Sequence, residues 1–130
     1  MNHEALTGEL RELREQWAGV TDAAVAAADG LLIAADTDKA IEPEGVAALA
    51  AASLGLSQRL VSATSRGTLR RTVSYGSQGC AVVYAVGDQA LMVVLGDEGL
   101  DLDGLHRESQ PALKRIESIL TDTDTDTDGA

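Results

Sequence analysis

The segment from Cys80 to Leu95, CAVVYAVGDQALMVVL, constrains the fold more than any other part of the sequence. Side chains of an extended chain alternate between two faces, and the apolar runs before and after Gly87-Asp88 supply apolar residues to both. A strand with two apolar faces must be covered on both. Gly87 can adopt the positive φ that a tight hairpin turn requires. The segment therefore predicts an antiparallel hairpin, closed by a two-residue turn, in the middle of a sheet.

The N-terminal part of the chain predicts a helix followed by a second hairpin. Residues 3–20 repeat leucines at helical spacing, with charged residues on the opposite side, which indicates an amphipathic helix. Residues 21–36 contain two apolar runs around Asp29-Gly30, a dipeptide suited to a type I′ turn. The alanines of the first run favour a helix by propensity alone. The turn signal and the second apolar run favour strands instead.

The remaining periodicities predict a long helix, an edge strand and a final helix. Residues 43–63 repeat apolar side chains at spacings of seven and four, and Pro43 suits a first helical turn. Residues 68–75 place polar groups on both faces, which is typical of an edge strand. A last apolar stripe ends at Leu120, and the sequence leaves open whether residues 102–108 belong to this helix.

The order α-β-β-α-β-β-β-α predicts an α/β protein, α+β in strict usage, with helices on both faces of a five-stranded antiparallel sheet. A chain of 130 residues fits one domain, which we assign to residues 1–120. Residues 121–130, TDTDTDTDGA, predict a disordered acidic tail whose role the sequence does not define. Its alternating aspartates resemble the start of an EF-hand loop. We expect no specific calcium site, because the glutamate required at the twelfth position does not follow.

Composition and motifs argue against several classes of function. The net charge of −11 opposes binding to nucleic acid and to anionic lipid headgroups. No apolar run suggests a membrane span, so we expect a cytoplasmic protein without membrane insertion. Cys80 and the two histidines form no triad or metal-ligand spacing, and no glycine-rich phosphate loop occurs. We therefore expect a non-enzymatic protein without catalytic, cofactor-binding or metal-binding residues.

The helix at 43–63 predicts a self-contact. It carries almost no charge between Val46 and Ser57, so a second surface is expected to cover it in addition to the sheet. A strip of small residues would let a symmetry mate approach closely, and the neighbouring edge strand could pair with its twin. We predict a homodimer through seven residues: Ala48, Ala52, Gly55, Leu69, Arg71, Val73 and Tyr75.

Arg66, Arg70 and Arg71 form the one dense basic cluster of the sequence. A solvated face of the edge strand explains them, and contact with an acidic partner surface is the alternative.

The complete order of elements resembles the Roadblock/LC7 family, especially its bacterial type related to gliding-motility protein B. Three stretches carry the resemblance: the hairpin Val20 to Ala34, the helix end Leu54 to Leu60, LGLSQRL, and the run Gly87 to Leu95, GDQALMVVL. The likeness spans residues 6–120. It implies a profilin-like fold and a dimeric scaffold or regulator that binds a small Ras-like GTPase.

The resemblance leaves two alternatives open. The protein could activate the GTPase or only tether it, and it could form a homodimer or a heterodimer. Arg59, at the end of the small-residue strip, is the candidate for a polar contact with the partner. The rival hypothesis from another class is a profilin-like or PAS-like sensor domain with a small-molecule pocket.

Overall fold

The computed structural model describes residues 2–122 in full and the backbone of the last helix as far as Gly129. These residues form the predicted order of elements, and the predicted fold class is confirmed. Most of the acidic tail at 121–130 lies outside the fully described residues, so its disorder remains a prediction. The elements are α1 (His3–Gln16), β1 (Val20–Ala27), β2 (Leu32–Asp36), α2 (Pro43–Ala63), β3 (Arg71–Gly76), β4 (Gly79–Val86), β5 (Ala90–Gly96) and α3 (Leu102–Gly129).

The sheet has the spatial order β2-β1-β5-β4-β3, and all neighbouring strands are antiparallel. The predicted central hairpin is confirmed, because β4 and β5 both have a partner on each side. The predicted two-residue turn is wrong. Val86 pairs with Ala90, so the turn contains three residues, and Gly87 opens it with φ +59°.

Two separate cores cover the two faces of the sheet. Helices α1 and α3 pack on one face, where Leu6, Leu10, Leu105 and Ile116 are fully buried against the strands. Helix α2 packs on the other face through small residues. This second core consists of Ala24, Ala26, Ala47, Ala50, Val83, Leu91 and Val93.

The alanine-rich first run is a strand, as the turn signal predicted, although its turn differs from type I′. Gly30 has φ +95°, whereas Asp29 does not adopt a positive φ. The Asp29 carboxylate instead accepts a hydrogen bond from the Leu31 N–H at 3.1 Å. A bulge between Val25 and Ala26 shifts the register with β2 and accounts for the wider connection.

The final helix includes residues 102–108, the segment that the sequence left open. Pro111 lies inside α3, where it provides no N–H for the helical hydrogen-bond ladder. One turn earlier, the His106 carbonyl accepts hydrogen bonds from the Ser109 hydroxyl at 3.3 Å and the Gln110 side-chain amide at 2.9 Å. Both hydrogen bonds go to the single carbonyl of His106, whereas the carbonyl that loses its helical donor to Pro111 is that of Arg107, four residues earlier.

Helix α2 has the predicted bounds, but the edge strand begins at Arg71 rather than at residue 68. The Leu69 N–H donates to the Gln58 side-chain oxygen at 3.1 Å, which ties this segment to α2. Residues 68–70 therefore connect α2 to β3 instead of extending the strand.

Gly79 provides a test of the β3–β4 hairpin. Its φ is +148°, and a Cβ atom added there would overlap the Gly96 carbonyl oxygen of the neighbouring strand. We expect Gly79→Ala to lower the free energy of unfolding by about 2–3 kcal/mol, through backbone strain and overpacking. Chemical denaturation measures this loss.

Gly76→Ala is the matched control in the same hairpin. A Cβ atom at Gly76 would lie 3.5 Å from the Gly79 carbonyl oxygen, an ordinary contact. We expect a change of less than about 1 kcal/mol. Equal losses in the two variants would contradict the geometry of this hairpin.

Candidate protein interface

The outer face of α2 is an exposed apolar surface. Three leucines project from it, with exposed fractions of 74% for Leu49, 65% for Leu56 and 67% for Leu60. The opposite side of the helix buries Ala47 and Ala50 against the sheet. We define the α2 outer face as Ala48, Leu49, Ala52, Gly55, Leu56 and Leu60, all of which are exposed.

Small residues lie along the middle of this surface, as the sequence predicted. Ala48, Ala52 and Gly55 are exposed at spacings of four and three, so they share one stripe of the helix. A Cβ atom added to Gly55 would meet no heavy atom within 4 Å. The stripe therefore leaves room for another helix to approach.

Helix α2 is also long and apolar enough, by length and composition, to cross a membrane. The sequence predicted no such segment. Its hydropathy has a local cause, because Pro43–Ala63 combines small core-facing residues with leucines on the outer face. Only 11% of the apolar 18-residue stretch of this helix is buried within the fold.

Strand β3 leaves its outer edge open, since β4 is its partner on the other side. The Arg70 carbonyl accepts from the Ala85 N–H at 2.9 Å, which sets the alternation of backbone groups along the strand. Antiparallel residues alternate between bonding their partner strand and facing away. The backbone groups of Arg71, Val73 and Tyr75 consequently face the open edge.

The seven residues predicted for the dimer interface lie on two sides of the molecule. The side chains of Arg71, Val73 and Tyr75 share a face with Tyr84, Val82 and Cys80, which is the face covered by α1 and α3. The α2 stripe lies on the opposite face. A twin strand would thus meet these three residues through their backbone, while a twin helix would meet the α2 stripe.

Two predicted residues remain: Leu69, predicted for the dimer, follows α2, and Arg59, predicted for the partner contact, lies near its end. Leu69 is partly buried in the connection that follows the helix, where its N–H bonds Gln58. Arg59 is exposed and continues the line of the small-residue stripe. Within residues 2–122 its guanidinium has no hydrogen bond or salt bridge. Arg59 is therefore available for contact with a partner.

Sequence reasoning missed a polar link beneath α3. The Tyr84 hydroxyl lies 2.7 Å from Nδ1 of His106, and the Tyr84 ring is 1% exposed. The sequence predicts a solvated surface residue at His106, whereas the structure shows it partly buried. The two residues are 22 positions apart, and no local pattern indicates that α3 crosses β4 at this point.

The environment of this link shifts both pKa values. Burial, and then the charge of Arg71, lowers the pKa of His106 below its usual 6.5, while Asp103 opposes this shift. Burial raises the pKa of Tyr84, and its contact with Ser109 and the charge of Arg71 counteract part of that rise. Burial and the charge of Arg71 both disfavour the imidazolium, so the fold favours uncharged His106, whose Nδ1 can then accept a hydrogen bond from the Tyr84 hydroxyl.

The sequence profile of the Roadblock/LC7 domain matches residues 6–96, well over half of the chain. The chain belongs to the Roadblock/LC7 domain family. The uncharacterized protein MJ1340 of Methanocaldococcus jannaschii is 28% identical over 101 residues, which cover 78% of this chain and 88% of that protein.

Solved structures of Roadblock/LC7 type share the fold. A Roadblock/LC7 domain from Streptomyces avermitilis superposes with a TM-score of 0.83 at 20% identity, covering 88% of this chain and 97% of that one. Myxococcus xanthus MglB superposes with a TM-score of 0.84 at 15% identity, covering 92% and 90%. These likenesses confirm the predicted architecture.

The Tyr84–His106 link predicts how Arg71 affects titration. Arg71→Gln removes a positive charge that disfavours imidazolium, so the pKa of His106 should rise toward its usual value. NMR titration of the imidazole protons measures it. Arg66→Gln, in the exposed connection before β3, is the control; equal pKa values of His106 in the two variants would contradict the proposed electrostatics.

The same shift has a consequence for stability. The pKa of His106 is lower in the folded state than in the unfolded chain, so the unfolded chain takes up the proton first. The stabilising contribution is complete above about 6.5, the usual histidine pKa, and is lost as the pH falls through the lower folded pKa.

Proposed function

We propose that this protein is a non-enzymatic, dimeric regulator that binds a small Ras-like GTPase in the cytoplasm. The observation that carries the proposal is the α2 outer face, an apolar surface that is continuous along one helix and exposed in the single chain. Membership of the Roadblock/LC7 family supports the same conclusion, because the family resemblance implies dimers that bind such GTPases.

The α2 outer face favours a second copy of this chain as its first partner. Fully burying one leucine side chain contributes about 1.5–3 kcal/mol, and Leu49, Leu56 and Leu60 offer three per chain. In a two-fold dimer each patch meets its own counterpart, so this contribution is doubled. The small stripe between the leucines permits close contact, and the open β3 edge can pair with its twin at the same time.

The lack of catalytic motifs in the sequence favours a partner that has its own enzymatic activity. The sequence contains no phosphate-binding glycine loop and no catalytic triad, so any turnover has to be performed by the bound protein. Arg59 is the residue we assign to the GTPase contact, because it is exposed, unpaired within residues 2–122 and located at the end of the stripe.

Gly55→Leu tests the dimer. Because nothing lies within 4 Å of the position, the added side chain leaves the single chain unstrained but blocks the approach of a second helix. We expect wild-type protein to be dimeric at tens of micromolar and the variant to dissociate more readily. Overpacking costs about 1–3 kcal/mol per site and occurs twice in a symmetric pair. Light scattering measures the mass.

Gly8→Leu in α1 is the matched control. Gly8 is also a helical glycine with no heavy atom within 4 Å of its added Cβ, and it lies away from α2. This variant should remain dimeric. A monomeric wild type, or a Gly55→Leu variant that dimerises normally, would refute the proposed interface.

The GTPase partner is tested with a Ras-like GTPase of the same organism, loaded with GTP or GDP. We expect binding in at least one nucleotide state, and we expect Arg59→Ala to weaken it by roughly fivefold, as for one exposed charge contact. Calorimetry measures affinity and phosphate release measures turnover. No binding in either state at about 100 μM, equivalent to roughly −5.5 kcal/mol, would exclude that partner.

Turnover in the same assay distinguishes activation from tethering. An arginine that stabilises the transition state in trans accelerates hydrolysis by about a thousandfold or more, and its removal abolishes the gain. We expect a much smaller effect of Arg59→Ala, because no contact within residues 2–122 fixes its guanidinium. A thousandfold loss would assign Arg59 a direct catalytic role.

A further inference from the structure

A basic groove lies on the face of the sheet opposite α2, between β3, β4 and the first turns of α3. Its volume is about 570 Å³. Three of the ten Lys and Arg residues of the chain line it: Arg70, Arg71 and Arg107. None of its ten lining residues is acidic, although the protein as a whole has a charge of −11.

The three arginines have no charged partner of their own. Within residues 2–122 the salt bridges are Arg14–Asp36 and Arg115–Glu9, neither of which involves the groove. The guanidinium groups of Arg70, Arg71 and Arg107 also form no hydrogen bond in this part of the chain. Planar guanidinium groups bind carboxylates with two parallel hydrogen bonds, so the arginines of the groove offer free N–H donors to a carboxylate ligand.

The wall of the groove is fixed by packing. The Tyr84 ring is buried, its hydroxyl contacts His106, and both residues line the groove. Ser109, one turn further along α3, is fully buried behind them. Arg107 therefore projects from a part of α3 whose neighbours are held in place.

The dimensions of the groove suit a short extended peptide. It follows α3 from His106 to Leu113, about 10 Å at 1.5 Å per residue, which is the length of about three extended residues. Acidic residues flank it, with Asp103 before His106 and Glu117 beside Gly87. These flanking carboxylates disfavour a long acidic ligand and favour a short one that lies between them.

We propose that this groove docks a short acidic segment of a partner protein, independently of the α2 outer face. The carboxylates of the segment would bind Arg71 and Arg107, and its backbone would lie along α3. The sequence analysis had left an acidic partner surface as the alternative for Arg70 and Arg71. The structure adds Arg107 from α3, 36 positions after Arg71, and so turns a strand face into a groove with two basic walls.

The test is an NMR titration of the full chain with the blocked peptide acetyl-Glu-Glu-Glu-Glu-amide. The two histidines provide an internal comparison, because His106 lines the groove and His3 does not. We expect the imidazole signals of His106 to shift with a Kd on the order of 1 mM or below, while those of His3 stay in place. The same peptide built from glutamine, which has no charge, should shift neither.

Charge reversal locates the site. An exposed ion pair changes affinity by up to about fivefold, and reversal replaces attraction with repulsion, so Arg107→Glu should weaken binding by roughly tenfold. Arg71→Glu should give a similar loss from the other wall. Arg11→Glu, at an exposed position of α1, makes the same change in net charge and should alter Kd by less than about twofold.

Four results would overturn the proposal. The first is no shift of His106 at about 5 mM peptide, well above the expected Kd. The second is an equal loss of affinity in Arg11→Glu and Arg107→Glu. The third is equally tight binding of inorganic phosphate, which would indicate a simple anion site. The fourth is binding seen only after Asp122, Asp124, Asp126 and Asp128 are changed to asparagine, which would assign the groove to the chain's own tail.

Discussion

The contact between small side chains of β1 and α2 determines the rest of the architecture. Ala24 and Ala26 of the strand lie in one buried cluster with Ala47 and Ala50 of the helix. This contact lets the helix backbone lie close to the sheet, and Gly30 shows how close, since an added Cβ would be 3.3 Å from the Ala48 Cα. Because α2 packs Ala47 and Ala50 against the sheet, its three exposed leucines, Leu49, Leu56 and Leu60, lie on the outer side. The α2 outer face is thus a consequence of how the core is built.

The two faces of the sheet therefore differ in the side chains that they bury. The face under α1 and α3 holds the large buried residues, including Tyr84 and Met92, and its helices are linked by the bond of Arg115 to both carboxylate oxygens of Glu9. The face under α2 buries smaller side chains, and α2 itself exposes Leu49, Leu56 and Leu60. We therefore assign self-association and GTPase binding to the α2 side, and the docking of an acidic segment to the groove beside α3.

The sequence was sufficient for the elements and their order, because hydrophobic periodicity follows directly from which faces are buried. It was less reliable where tertiary contacts decide. Sheet pairing on both sides makes the alanine-rich β1 a strand against its propensity, and a bulge widens its turn. The bond from Leu69 to Gln58 delays the start of β3. No local pattern could place His106 against Tyr84 or bring Arg107 and Arg71 to the same groove, since both arrangements depend on the path of α3.

The central claim is that the open edge of β3 and the α2 outer face are covered together by a second copy of the chain. Amide hydrogen exchange, measured residue by residue at increasing protein concentration, tests it most directly. The N–H groups of Arg71, Val73 and Tyr75 face the open edge, so pairing with a twin strand should slow their exchange as the dimer forms. The account predicts protection of these three amides that rises with concentration. Exchange that remains as fast as at Ser77 and Gln78 in the neighbouring turn, at every concentration, would contradict it.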